Sequence, residues 1–115
     1  MDLKILVAED SETDRFIIKN MLSDSYDVLT ACDGEETMRI LNERDDIGIL
    51  ILDLKMPKMD GFQVLEVIRD NERFRKLRTI ILTNYDELEN EIRGLQLGAV
   101  DYIRKPVHMF SLKTR

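Results

Sequence analysis

The 115-residue chain is 43% hydrophobic and 35% charged, with 5 glycines and 2 prolines, the make-up of one packed domain rather than a disordered chain. Its 17 Lys and Arg against 23 Asp and Glu leave a net charge of −6, which argues against direct nucleic-acid binding. No apolar run nears the roughly 20 residues of a membrane span, Met1-Asp2-Leu3-Lys4-Ile5 does not read as a signal peptide, and the lone Cys32 excludes an internal disulfide and fits a reducing compartment, so a soluble cytoplasmic domain is expected.

The first predicted strand is Leu3-Lys4-Ile5-Leu6-Val7-Ala8, running into Glu9-Asp10. Phe16, Ile17, Met21 and Leu22 then recur at helical spacing. Tyr26-Asp27-Val28-Leu29-Thr30-Ala31 is a second, more polar strand, suited to a sheet edge. Asp33-Gly34 precedes a second helix carrying Met38 and Leu41. Ile47-Gly48-Ile49-Leu50-Ile51-Leu52 is the most apolar strand and ends in Asp53. A third helix carries Val64, Leu65 and Ile68 after Asp60-Gly61. Thr79-Ile80-Ile81-Leu82 is the fourth strand, ending in Thr83. Leu88, Ile92 and Leu95 mark a fourth helix, with Gly98 as its stop. Val100-Asp101-Tyr102-Ile103 is the fifth strand, followed by Lys105 and by a fifth helix after Pro106.

Five such units predict an α/β fold with a parallel sheet covered by helices on both faces. Placing the three most apolar strands in the centre favours the order 2-1-3-4-5 of flavodoxin-like folds, a three-layer sandwich. Residues 1–115 are read as a single domain. Only nine residues follow Pro106, so the last helix is expected to be truncated from a longer protein.

In open parallel sheets, ligands bind outside the carboxyl ends of the strands. Here those ends carry Glu9-Asp10, Asp53, Thr83 and Lys105. The two central strands would set Asp10 beside Asp53, where each carboxylate raises the pKa of the other. A divalent cation relieves the repulsion, and carboxylates, a backbone carbonyl and waters suit Mg²⁺. No G-x-x-x-x-G-K-[ST] or G-x-G-x-x-G is present. The acidic turn Glu9-Asp10-Ser11-Glu12 would repel a flavin phosphate. A haloacid-dehalogenase-like phosphatase wants a second Asp where this chain has Lys55.

The chain resembles the CheY-like receiver domains of two-component response regulators. The resemblance rests on Val7-Ala8-Glu9-Asp10, on Asp53 closing Leu50-Ile51-Leu52, on Met56-Pro57-Lys58-Met59-Asp60-Gly61, on Ile81-Leu82-Thr83, and on Gly98-Ala99-Val100-Asp101-Tyr102-Ile103-Arg104-Lys105-Pro106. It implies phosphorelay signal transduction in which Asp53 becomes a 4-aspartylphosphate, with a sensor histidine kinase or phosphotransfer protein as donor. It implies Mg²⁺ (or Mn²⁺) held by Asp10, Asp53 and the Lys55 main-chain carbonyl, with Glu9 acting through water. Thr83 and Lys105 are expected to bind phosphoryl oxygens, and Tyr102 to follow Thr83 when the surface of the fourth helix, fifth strand and fifth helix switches. The peptide before Pro106 is expected to be cis. Lys55, Asn84 and Tyr85 fall where the family tunes phosphate lifetime, Lys55 either shielding the phosphoryl group or lying in solvent. The implied partners are an output domain or downstream protein and a phosphorylation-dependent homodimer, with no membrane. Such a domain catalyses only its own phosphorylation and dephosphorylation. The alternative is a receiver-like interaction module that works without phosphorylation.

Cys32 is expected to be half-buried, His108 exposed, and Arg73, Arg75, Lys76 and Arg78 a solvated basic loop.

Overall fold

The computed structural model describes residues 3–84 and 87–105. The strands are β1 (Lys4–Ala8), β2 (Val28–Ala31), β3 (Ile47–Asp53), β4 (Arg78–Asn84) and β5 (Asp101–Lys105). The helices are α1 (Glu12–Ser23), α2 (Gly34–Glu43), α3 (Gly61–Arg69) and α4 (Leu88–Gln96), with a 3-10 turn at Glu72–Phe74. All strand pairs are parallel, in the order β2-β1-β3-β4-β5. That is the expected flavodoxin-like order. The fifth helix, Tyr85, Pro106 and His108 lie outside the described residues.

Strand alternation divides the core in two. Leu6, Ala8, Leu50, Leu52 and Ile81 face one way and pack with Leu41 of α2 and Val64, Leu65 and Ile68 of α3. Ile5, Val7, Ile51, Leu82 and Ile103 face the other way and pack with Ile18 and Leu22 of α1. Covering both faces is what makes the strands read as continuous apolar runs.

Short polar side chains start the helices. Ser11 accepts from the Asp14 backbone N–H at 3.2 Å, and Asp33 from Glu36 at 2.8 Å. Asp60 and Gln63 form a reciprocal capping box at α3. Each such cap contributes about 1 kcal/mol. Gly98 follows α4 with φ +109°, the backbone that the predicted stop required.

Several expectations are corrected. In α1, Phe16 is 65% exposed and Ile17 is also exposed, and the buried positions are Ile18 and Leu22. In α4, Leu88, Ile92 and Leu95 are all exposed, while Glu91 and Gly94 face the sheet. Gly94 lets the helix sit close, because a Cβ would lie 2.4 Å from Ile81 Cδ1 and push that buried side chain aside. Cys32 is exposed rather than half-buried. The basic segment is not simply solvated: Arg73 donates to the Asn42 carbonyl and to Asp45, both at 2.8 Å, tying the 3-10 turn to the end of α2. Lys105 is the last residue of β5, not a loop residue after it.

Candidate functional site

Four strands deliver polar side chains to one end of the sheet. Ala8 pairs with Leu52, so Glu9 and Asp53 each stand one step further along neighbouring strands. Asp53 pairs with Leu82, and Asn84 pairs with Lys105, which brings the ends of β3, β4 and β5 together. Glu9, Asp10 and Asp53 each offer a carboxylate oxygen, all within 4.8 Å of one another.

The three acids differ in environment. Glu9 is fully buried, Asp53 is 6% exposed, and Asp10 is exposed. The Lys105 ammonium reaches Glu9 Oε1 at 2.6 Å, Asp53 Oδ2 at 3.4 Å and Asp14 Oδ2 at 3.6 Å. The Ser11 backbone N–H donates to Glu9 Oε2 at 3.0 Å, and the Lys55 backbone N–H donates to Asp53 Oδ1 at 3.2 Å. Among the described residues, buried Glu9 Oε1 has the Lys105 ammonium as its close cation and no other donor.

Burial pushes the Glu9 carboxyl up to about 8, with the adjacent Asp53 adding to the rise and Lys105 opposing it. Burial also raises Asp53, against the pull of Glu9 and Lys105. For Lys105, burial acts downward, but Glu9 and Asp53 hold the ammonium above its ordinary value. One ammonium set among Glu9, Asp10 and Asp53 leaves an excess of negative charge. An oxygen-ligated divalent cation would balance it, and the three carboxylate oxygens, with Glu9 Oε1 met by Lys105 alone, fit that requirement.

The segment after Asp53 is held close. The Gly61 N–H donates to the Leu54 carbonyl at 3.0 Å, and a Cβ at Gly61 would lie 2.5 Å from the Asp53 carbonyl oxygen. Glycine at the start of α3 therefore lets that helix approach the acid.

Lys55 and Asn84 flank the mouth. Lys55 is exposed but not simply solvated: its ammonium pairs with Glu87 across the opening. Glu87 also accepts from Asn84 at 3.0 Å and Asn90 at 2.6 Å. These donors, Lys55 foremost, hold the Glu87 carboxyl down at about 2.

Thr83 is buried, and its hydroxyl donates to Glu91 Oε2 on α4 at 3.2 Å. Arg104 grips the same Glu91 from β5 at 2.7 and 3.0 Å. Tyr102 is half-buried against the core and lies under the Arg104 guanidinium at 5.4 Å. Sequence reasoning missed Asp14, Glu87, Glu91 and Arg104. The one available signal was that Tyr102 and Arg104 alternate on β5 and must share a face with Thr83 across the β4–β5 register.

A family model described as the response regulator receiver domain matches residues 5–115. The chain belongs to that family. The receiver is 36% identical over 107 residues to the alkaline phosphatase synthesis transcriptional regulatory protein PhoP of Bacillus subtilis, covering 92% of this chain and 43% of that protein. The chain thus spans less than half the length of the curated relatives it matches. Among solved structures it resembles the receiver domain of the Francisella response regulator 1452, at 31% identity and TM-score 0.88, covering 99% of this chain and 93% of that one. It also resembles the Vibrio cholerae chemotaxis protein CheY4, at 27% identity and TM-score 0.89, covering 99% and 95%. The receiver is a two-component response regulator module. Among the described residues no helix is long and apolar enough to cross a membrane.

Proposed function

We propose that this receiver is switched by phosphorylation of Asp53, with a histidine kinase or phosphotransfer protein as donor. The observation that carries this reading is the convergence of Glu9, Asp10, Asp53 and Lys105 at one sheet end. Mg²⁺ would be held by Asp10, Asp53 and the Lys55 main-chain carbonyl, with Glu9 acting through water. When bound it supplies charge neutralisation for the transferring phosphoryl group.

Asp53 is the nucleophile: a P–O bond forms to its carboxylate as the donor's P–N bond breaks. Lys55 N–H orients the Asp53 carboxylate by bonding Oδ1. Lys105 already lies within 3.4 Å of Oδ2, so its ammonium can pair with a phosphoryl oxygen placed there. Catalysis is mostly alignment and charge stabilisation, which this chain supplies to itself rather than to a turned-over substrate. Thr83 would bond another phosphoryl oxygen, and Tyr102 would repack with it. Lys55, Asn84 and Tyr85 would set how long the phosphoryl group lasts.

The output is a population shift on the α4–β5 surface, read by an output domain or downstream protein, or by a second copy of the phosphorylated chain. The transcriptional and chemotaxis relatives are consistent with such outputs, and a cytoplasmic location suits the kinase. A receiver-like module working without phosphorylation is not favoured, because it would have no use for the buried Glu9–Lys105–Asp53 set.

Titration with Mg²⁺ and beryllofluoride, followed by amide shifts, tests the reading. Saturable shifts at Asp10, Asp53 and Lys55 that vanish in Asp53→Asn are expected. A folded protein showing no shift there would refute it.

A further inference from the structure

The Thr83 hydroxyl has a single proton to donate. It is given to Glu91 Oε2 at 3.2 Å. Glu91 is 1% exposed and lies on the sheet-facing side of α4. Arg104 donates Nε to Oε2 at 2.7 Å and Nη2 to Oε1 at 3.0 Å, a two-pronged pairing that fixes the carboxylate in place. The same guanidinium lies over Tyr102. Thr83, Glu91, Arg104 and Tyr102 therefore form one continuous contact chain joining β4, α4 and β5.

We infer that Glu91 is a positioning residue that holds the Thr83 hydroxyl away from Asp53 and so sets the resting state of the switch. The inference rests on the reading of Asp53 as phosphoryl acceptor and of Thr83 as a phosphoryl ligand. A hydroxyl bonded to Glu91 cannot also donate to a phosphoryl oxygen. Engagement of the phosphoryl group must break the Thr83–Glu91 bond inside a buried site. Hydrogen bonds to an ionised acceptor are about twice as strong as neutral ones, so the competition is not trivial. Arg104 keeps Glu91 charged and oriented, which keeps it a good acceptor. The arrangement accounts for the burial of an acidic side chain in a helix whose leucine and isoleucine positions are left in solvent. It also gives Tyr102 a direct tie to the event, because the guanidinium that packs on its ring is the one that grips Glu91.

The test is the affinity for beryllofluoride in the presence of Mg²⁺, read by amide shifts at Asp53 and Lys55. Glu91→Gln keeps the shape and removes the charge. It should tighten binding roughly three- to tenfold, the scale of one charge-assisted hydrogen bond reduced to a neutral one. In the Thr83→Val background the same substitution should have no effect. A purely structural role for Glu91 would not depend on Thr83. Unchanged affinity in Glu91→Gln, or an equal gain with and without Thr83, overturns the inference. Should Glu91→Gln not fold, the wild-type protein carries the test. The Arg104 Nε–H resonance should shift and exchange faster once beryllofluoride binds, and an unmoved resonance overturns the inference. Failure of the wild-type protein to bind beryllofluoride at all would instead refute the Asp53 reading, and the inference with it.

Discussion

The Lys105 ammonium stands 2.6 Å from Glu9 Oε1 and 3.4 Å from Asp53 Oδ2, so one cation from β5 serves two buried acids at the ends of β1 and β3. Burial raises both carboxyls. Lys105 opposes that rise at both acids, and this sets the first prediction.

Lys105→Met should destabilise the metal-free protein by about 2–4 kcal/mol near neutral pH, because it removes the cation shared by two buried acids. Mg²⁺ should restore part of the loss. Chemical denaturation with and without Mg²⁺ checks it, and a variant as stable as wild type in chelator would show that the Lys105 contacts are energetically idle.

The Arg104 pairing holds the Glu91 carboxyl below its ordinary value of 4.5. A lowered acid contributes stability above the unfolded-state pKa and loses it as pH falls. Stability should therefore decline below about pH 4.5 partly through Glu91. Glu91→Gln should make that acid limb shallower than in wild type. Thermal melts between pH 3 and 6, about the range where carboxylates titrate, would measure it. Parallel limbs in the two proteins would exclude a Glu91 contribution.

Gly61→Ala would force a Cβ to within 2.5 Å of the Asp53 carbonyl oxygen and 2.7 Å of Leu54 Cα. Backbone cannot step aside as a side chain can, so a loss of about 2–4 kcal/mol is expected. Because α3 is displaced against the acid itself, Mg²⁺ affinity should drop as well. A variant with wild-type stability and wild-type Mg²⁺ binding would show that the close approach is not needed.

On α4, Ile92→Lys should change stability by no more than about 0.5 kcal/mol, since that side chain is exposed. Gly94→Leu on the same helix should be far more costly, because its Cβ already meets Ile81 Cδ1. Equal costs would mean that the helix packs through its apolar side after all.

That pair of residues also shows where sequence reasoning stops. The sheet was readable because parallel strands covered on both faces carry apolar runs in their middles, as residues 5–8 of β1, 49–52 of β3 and 80–82 of β4 do. The acids at the strand ends were readable because topology alone brings Asp10 and Asp53 together. Helix facing was readable in α3, where Val64, Leu65 and Ile68 are buried, but not in α4. Apolar spacing pointed to Leu88, Ile92 and Leu95, whereas the helix seats on the small Gly94 and on an acid paired with Arg104. An acid at helical spacing reads as solvent-facing unless its partner is known, and Arg104 lies 13 residues away on β5. Complete burial of Glu9, adjacent to exposed Asp10, was hidden for the same reason: its cation, Lys105, comes from β5.

The central claim is that Asp53 accepts the phosphoryl group. Incubation with acetyl phosphate and Mg²⁺, followed by intact-mass measurement and peptide mapping, tests it most directly. One phosphoryl group on Asp53 is predicted, labile to base and hydroxylamine and absent from Asp53→Asn. A folded, Mg²⁺-saturated protein that stays unmodified, or a phosphoryl group that persists in Asp53→Asn, would contradict it.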